Sequence, residues 1–196
     1  MDHVGSVSVK LESPIEGGEN WITTQPYTTP NAWAELCFDF SSPSIEDSKL
    51  PASGKTFTGF VLFFDFLEPA VTADESYYFD DVVFPAGEVS GTTTTIYDFE
   101  TGNTTGEFTY FGSTLDGSNT MVINNPNASG INVSAKVTEY VKPAGSEVWA
   151  GAFSNPNPTT PLDVSGTNQV CIKVHMDHIG NVALKFEGST SGKANW

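Results

Sequence analysis

The chain has 196 residues, of which 38% are hydrophobic and 12% aromatic, enough for a real core in one large or two small domains. Its formal net charge is −16 with only eight Lys and Arg, which makes nucleic acid and anionic membranes poor partners. The sequence has no apolar run of the roughly eighteen residues that a membrane-spanning helix needs, so we expect no membrane insertion.

Short alternating or apolar runs, separated by turn residues, predict an all-β chain. Gly, Pro, Ser, Thr and Asn are abundant, and no long stretch has the helical period. The predicted strands are residues 5–12, 21–27, 32–40, 57–66, 77–84, 96–100, 108–111, 120–124, 132–141, 147–153, 168–176 and 181–187. The last two are predicted to pair as a hairpin. Many short strands between frequent turns are typical of antiparallel β-sandwiches and jelly rolls.

The two ends of the chain are copies of each other. Residues 1–21 read MDHVGSVSVKLESPIEGGENW and residues 176–196 read MDHIGNVALKFEGSTSGKANW, with ten identical positions and no gap. Met1 therefore corresponds to Met176, a shift of 175 residues, which indicates one period of a tandem array plus an overlap. If the residues between the two copies complete one domain, only one copy can occupy the corresponding strand position in it. The other copy would then occupy that position in a neighbouring module.

Two cysteines, Cys37 and Cys171, permit one disulfide. In AELCFDF and in QVCIKVH each cysteine falls on the polar face of its predicted strand. That placement is compatible with a bridge between strands. Two independent free thiols are the alternative.

A family resemblance covers nearly the whole 175-residue period. The motifs DFE, SGINVSAKV, GSEVWAG, CIKVHM, GNVALKFE, ELCFDFS, VLFFDF and YYFDDV occur in family order once the chain is read from residue 96 through the repeat. In this order the chain resembles a β-sandwich module of surface and secreted Bacteroidetes proteins. That module often lies beside glycoside hydrolases or in tandem arrays, and it is similar to jelly-roll carbohydrate-binding modules.

The resemblance implies an extracellular or cell-surface location, a non-catalytic role and a permuted order. Residues 1–86 resemble the C-terminal half of one module, and residues 96–196 the N-terminal half of the next. Residues 87–95, in the sequence GEVSGTTTT, are small and polar and are predicted to be the linker. The expected fold is an antiparallel β-sandwich or jelly roll with duplicated terminal strands.

Jelly-roll binding modules commonly hold calcium where the first and last strands meet. By resemblance, that site falls on Asp81, Asp98 and Glu100, with Asp80 as a neighbour. Calcium takes six to eight oxygen ligands, which carboxylates and carbonyls supply together. The alternative is that these carboxylates face water at strand ends.

Carbohydrate binding would need exposed aromatic rings beside hydrogen-bonding groups. The candidate rings are Trp21, Trp33, Trp149, Tyr27 and Tyr110. A polar set could supply the hydrogen bonds: Asp39, Asp65, Lys173, Lys185 and Glu187. The alternatives are that Trp33 and Trp149 pack in the core and that the charged set is a cross-strand ladder of ion pairs.

No spacing of Ser, His, Asp or Cys indicates a catalytic triad, and we expect no enzyme. His3, His175 and His178 are near one predicted turn, where they could hold a metal or simply be polar turn residues. The sequence therefore favours an adhesive or carbohydrate-binding repeat of a surface protein. A filament subunit that exchanges a strand or half a module with its neighbours is the alternative.

Overall fold

The structure is a computed structural model that describes residues 20–39, 41, 56–84, 94–101, 105–154, 162–163 and 169–188. The predicted strand 5–12 and most of the predicted linker lie outside the described residues. Within these ranges there are twelve strands: β1 (Asn20–Tyr27), β2 (Ala34–Asp39), β3 (Thr56–Phe64), β4 (Glu75–Phe84), β5 (Thr94–Tyr97), β6 (Thr105–Phe111), β7 (Asn119–Asn124), β8 (Lys136–Lys142), β9 (Gly151–Ser154), β10 (Leu162–Asp163), β11 (Gln169–His175) and β12 (Gly180–Gly188). In the same ranges, no helix has the length and apolar character to cross a membrane.

All pairings between these strands are antiparallel, in the order β1-β12-β3-β9-β6-β7-β8-β4-β11-β2. Strand β10 adds to β3, and β5 adds to β4. The two ends of this order, β1 and β2, also contact each other, so the sheet nearly closes on itself. The all-β, antiparallel prediction is confirmed.

Strand β3 is buried on both faces, which explains its unbroken apolar sequence. Leu62 and Phe64 point into the main interior cluster, whereas Val61 and Phe63 belong to a second, smaller cluster on the opposite face. All four side chains are fully buried. The strand therefore separates two apolar clusters, and neither of its faces is exposed to solvent at these positions.

A cluster of four rings packs in the main interior. Phe64, Tyr77 and Tyr140 form a triangle with ring centroids 5.0, 5.2 and 5.9 Å apart, and Tyr110 stacks on Tyr140 at 5.2 Å. Each such pair contributes about 0.5–1.5 kcal/mol beyond the burial of its area. Because the rings come from β3, β4, β6 and β8, their contacts connect strands that are not neighbours in the sheet.

The C-terminal copy of the repeat forms β12, in the interior of the strand order between β1 and β3. The predicted hairpin with β11 is wrong, because β11 pairs with β2 and β4 instead. Residues 176–179 carry the chain from one part of the nearly closed sheet to another. Periodicity located both strands, but only long-range packing decides that neighbours in sequence do not pair.

Strands from the two predicted half-modules alternate in this single sheet. Strand β12, for example, lies between β1 and β3, and β4 lies between β8 and β11. Thr94 and Thr95, placed in the predicted linker, begin β5. The division into permuted half-modules stays a prediction.

Candidate functional site

Asp65 follows the last residue of β3 and turns the chain there. Its φ is +47°, in the left-handed region that Asp and Asn enter more easily than most residues. Its backbone N–H donates to the carbonyl of Asn181 at 2.8 Å, and its Oδ1 accepts the N–H of Asn181 at 3.1 Å. Asp65 thus extends the pairing of β3 with β12 by one residue and keeps its carboxylate buried, at 6% exposure.

Polar groups from two other segments converge on this carboxylate. Its Oδ2 accepts a hydrogen bond from the Tyr77 hydroxyl at 2.9 Å and lies 2.6 Å from Nε2 of His178. The same hydroxyl lies 2.5 Å from Oε2 of Glu75. Burial, together with these two carboxylates, raises the pKa of Tyr77. The hydroxyl therefore keeps its proton, which the two carboxylates share.

His178 has a carboxylate at each ring nitrogen. Nε2 faces Asp65, and Nδ1 lies 2.5 Å from Oδ1 of Asp177. Two acceptors require two N–H donors, so the ring is an imidazolium in this arrangement. Burial lowers the pKa of His178, but the two hydrogen bonds outweigh it and the pKa is raised above its ordinary value.

Lys142 supplies the second positive charge. Its side chain is fully buried, and Nζ donates to the carbonyls of Phe64 at 3.0 Å and Asp65 at 3.2 Å. Burial lowers the pKa of Lys142, while the negative charges of Asp65 and Glu75 oppose that shift. We call Asp65, Glu75, Tyr77, Lys142 and His178 the Asp65 cluster; its two carboxylates and two cations balance each other.

Gly180, the first residue of β12, packs directly on the Asp65 cluster. A Cβ atom at this position would lie 1.9 Å from Oδ1 of Asp65 and 2.8 Å from Cε of Met176. Since Tyr77, His178 and the N–H of Asn181 already hold the Asp65 carboxylate, it cannot easily move aside. The start of β12 therefore requires a glycine.

Asn181 completes the attachment of β12. Its Oδ1 accepts the backbone N–H of Phe66 at 2.9 Å, and its Nδ2 donates to Oε1 of Glu68 at 2.9 Å. The cluster and Asn181 together hold the beginning of β12 against the end of β3. Chemically, this arrangement recognises the sequence Asp-His-x-Gly at the entrance to a strand.

A surface groove of about 560 Å³ runs beside the cluster. Asp65, Glu75 and His178 line it on the polar side, and Pro26, Pro69 and Ile179 are among its apolar lining residues. Ile179 is 68% exposed. The groove thus offers carboxylates, one imidazolium and a small apolar rim.

Among the described residues, two groups have three ligand atoms close enough to share a metal ion. One is Asp65, Glu75 and His178; the other is Glu35 with both cysteines. The cysteines are joined in a disulfide and offer no thiolate. In the first group, the protein's own hydrogen bonds already engage the nitrogens of His178.

The carboxylates assigned to calcium are engaged by protein donors. Asp80 is fully buried and accepts hydrogen bonds from the N–H of Asp81 at 2.8 Å and from Nδ2 of Asn132 at 3.0 Å. Asp81 pairs with Nζ of Lys173 at 2.5 Å. An ammonium group thus lies where the cation would bind.

The other two members of the proposed calcium set lie after β5. Strand β5 pairs with β4, which brings the segment holding Asp98 and Glu100 towards Asp81. Asp98 and Glu100 are exposed, and Oε1 of Glu100 accepts the N–H of Lys136 at 3.2 Å. As arranged, the four carboxylates do not form an open set of oxygens that fits calcium, and the site stays a prediction of the resemblance.

Three of the five candidate sugar-binding rings are buried, and Tyr27 is completely so. Trp33 is 7% exposed, and its Nε1 donates to the carbonyl of Asn127 at 2.7 Å. Tyr110 is 5% exposed, and its hydroxyl accepts the N–H of Val141 at 3.0 Å. None of the three presents a ring face on which a sugar could stack.

Trp149 lies in the turn before β9, and Trp21 is in β1. Trp149 is half-buried and stacks against Phe111, with centroids 6.1 Å apart. Trp21 lies in β1, where its backbone is opposite Phe186. The side chain of Trp21 lies outside the described part of the structure, and Trp33, Trp149 and Tyr110 do not form one exposed platform.

Cys37 and Cys171 form a disulfide in the structure. They are direct partners in the register of β2 and β11, which places their side chains on the same face. The bridge links residues 134 positions apart. It joins β2, at one end of the strand order, covalently to its neighbour β11.

Sequence reasoning did not assemble the Asp65 cluster. It placed Asp65 on a polar strand face and His178 in a turn, and it gave Glu75, Tyr77 and Lys142 no role. One signal was available: Asp-His-x-Gly occurs in both copies of the repeat, at residues 2–5 and 177–180. Its partners come from β3, β4 and β8, which no local pattern connects.

No protein-family model, curated protein or solved structure matches this chain.

Proposed function

We propose that the chain is a non-catalytic, extracellular β-sandwich repeat of jelly-roll type, which joins like modules in a surface array or filament. One observation carries this proposal. The segment that occurs twice in the sequence supplies β12, a strand inside the sheet that one module needs only once. By its sequence, the second copy could fill the same position in another module.

The position of β12 supports a joining role. It pairs along its length with β1 on one side and β3 on the other, so it is bound by two sets of backbone hydrogen bonds. Val182, Leu184 and Phe186 are fully buried in the main interior cluster. A strand with so many contacts is a strong link between modules.

The disulfide and the composition support the extracellular part of the proposal. Disulfides persist in oxidising compartments and are rare in the cytosol. A net charge of −16 favours solubility and opposes nonspecific association between modules. Association through a matched strand would therefore be selective.

Adhesion through carbohydrate has weaker support, because Trp33 and Tyr110 are buried. Trp149 is the ring to test, by comparing the binding of the native chain and Trp149→Ala to a panel of polysaccharides. Binding that is lost in this variant alone would favour the carbohydrate-binding function. Turnover of a polysaccharide by the native chain would overturn the non-catalytic assignment.

The joining function is tested by light scattering on the purified chain across a range of concentrations. We expect particles larger than one chain at high concentration, and only single chains after deletion of residues 1–19. Calcium followed by EDTA tests the carboxylates near Asp81 in the same experiment. Identical particle masses with and without residues 1–19 would contradict the proposal.

A further inference from the structure

We propose that the β12 position can be filled by residues 5–13 of a second copy of this chain, in a register fixed by Gly5 against Asp65. This inference rests on the proposed function and adds the partner segment and the residue that aligns it. Residues 5–13 read GSVSVKLES, and β12 reads GNVALKFEG.

Buried positions of β12 set the steric requirements. Position 180 must be glycine, positions 182, 184 and 186 face the main interior, and Ala183 faces the second cluster, where Ile22, Val61 and Phe63 surround it. The N-terminal segment offers Gly5, Val7, Ser8, Val9 and Leu11 at the corresponding places. Each residue is apolar or small where the site requires it.

The charged positions also correspond. Lys185 is 3% exposed in β12, and Lys10 occupies its place in the N-terminal segment. Asp2 and His3 correspond to Asp177 and His178. His3 of the second copy would therefore reach Asp65 as His178 does.

Only one register satisfies the Asp65 cluster. A shift of one residue would put Val4 or Ser6 in the place of Gly180, and a shift of two would put His3 or Val7 there. All four have the Cβ atom for which Asp65 leaves no space. A shift of one would also turn every apolar side chain of the strand to the wrong face.

The incoming segment fits more weakly than β12 itself. Val9 replaces Leu184 and Leu11 replaces Phe186, so both buried side chains are smaller. Ser6 cannot reproduce both hydrogen bonds that Asn181 makes to Phe66 and Glu68. Two smaller buried side chains alone weaken binding by roughly tenfold or more.

The weaker fit of residues 5–13 explains how the exchange of strands between chains would be controlled. In one chain the C-terminal copy takes the position, as the structure shows. The N-terminal segment of a second copy enters where that strand is weakened or displaced, and a high local concentration of modules favours it. The same position thus supports both a closed module and a link between modules.

Full-length chains and a labelled peptide test the inference. The receptor is the full-length double variant Gly5→Ala/Gly180→Ala, in which both copies of the repeat lack the glycine that faces Asp65. The probe is a fluorescent peptide of residues 1–19, and the matched control is the same peptide with Gly5→Ala. Fluorescence anisotropy measures binding, and near-UV circular dichroism measures folding of the receptor.

We expect the native peptide to bind the double variant at least about tenfold more tightly than it binds the native chain, whose β12 competes for the position. The Gly5→Ala peptide should bind neither chain. If the double variant does not fold alone, refolding it with each peptide gives the answer. Only the native peptide should then restore the near-UV spectrum.

The outcomes separate this inference from the proposed function. If particle size depends on residues 1–19 but both peptides bind equally, or neither binds, the glycine register is wrong and the joining function survives. If particle size is also independent of residues 1–19, both fail. Native-peptide binding that requires Gly5 supports the inference.

Discussion

At the scale of single residues, Asp65 determines how β3 ends and how β12 begins. Its buried carboxylate accepts hydrogen bonds from Tyr77, His178 and the N–H of Asn181. We expect Asp65→Asn to lower the free energy of unfolding by about 3 kcal/mol, because it removes the charge that His178 and Lys142 neutralise. Urea unfolding measures this loss.

Asp177→Asn is the matched control for that variant. Asp177 also contacts His178, but its side chain is 75% exposed. We expect a change of no more than about 0.5 kcal/mol. Equal losses in the two variants would show that Asp65 has no special role in the cluster.

Asp80 makes stability depend on pH. Burial raises its pKa to about 6, with a further contribution from the charge of Asp81, while hydrogen bonds from Ser134, Asn132 and the N–H of Asp81 oppose the shift. In the unfolded chain the carboxyl has its ordinary pKa of 3.8. Between these two values the unfolded state releases a proton that the folded state keeps, so stability falls as the pH rises.

We expect this one group to lower the free energy of unfolding by about 2 kcal/mol from pH 4 to pH 7. Asp80→Asn should remove that part of the pH dependence, because an amide does not ionise. The exposed Asp98→Asn should leave the dependence close to that of the native chain. Unfolding in urea at several pH values compares the three proteins, and parallel curves for all of them would refute the assignment.

At the scale of elements, the bridge between β2 and β11 holds the far end of the strand order. Closing a loop of 134 residues restricts the unfolded chain, and we expect Cys37→Ala/Cys171→Ala to lose about 3–4 kcal/mol. Thermal unfolding in oxidising and reducing buffers measures this. The double variant should unfold at the same temperature in both buffers, whereas the native chain should be less stable when reduced.

Local patterns predicted the strands better than their partners. The alternation in ELCFD and the apolar run FVLFF gave β2 and β3 nearly at their observed bounds, because burial of one or two faces fixes those side chains. Strand β10 was missed, since two residues carry no period. The hairpin of β11 with β12 was wrong because their separation depends on contacts far away in the chain.

The candidate site was less predictable for the same reason. Residues of the Asp65 cluster come from the end of β3, the start of β4, the end of β8 and the turn before β12. Each is unremarkable in its own segment, and Lys142 in particular looks like a surface residue. Only the folded sheet brings these charges together around the buried carboxylate of Asp65.

At the scale of the whole molecule, the bridge between Cys37 and Cys171 would limit how far a module extends under a pulling force. While the bond is intact, the chain between the two cysteines, which are 134 positions apart, cannot be extended. At about 3.4 Å per residue, that is roughly 450 Å of chain. We expect single-molecule pulling on the two chain ends to give unfolding steps that lengthen by about this amount in reducing buffer.

The double cysteine variant should give the long step in both buffers, and a native step that is unchanged by reduction would refute the expectation. Strands β1 and β12 lie outside the covalent loop, so they can peel away while the bonded part holds. A row of such modules under tension would lengthen a little at each member and then stiffen, behaving as a tether with a built-in stop.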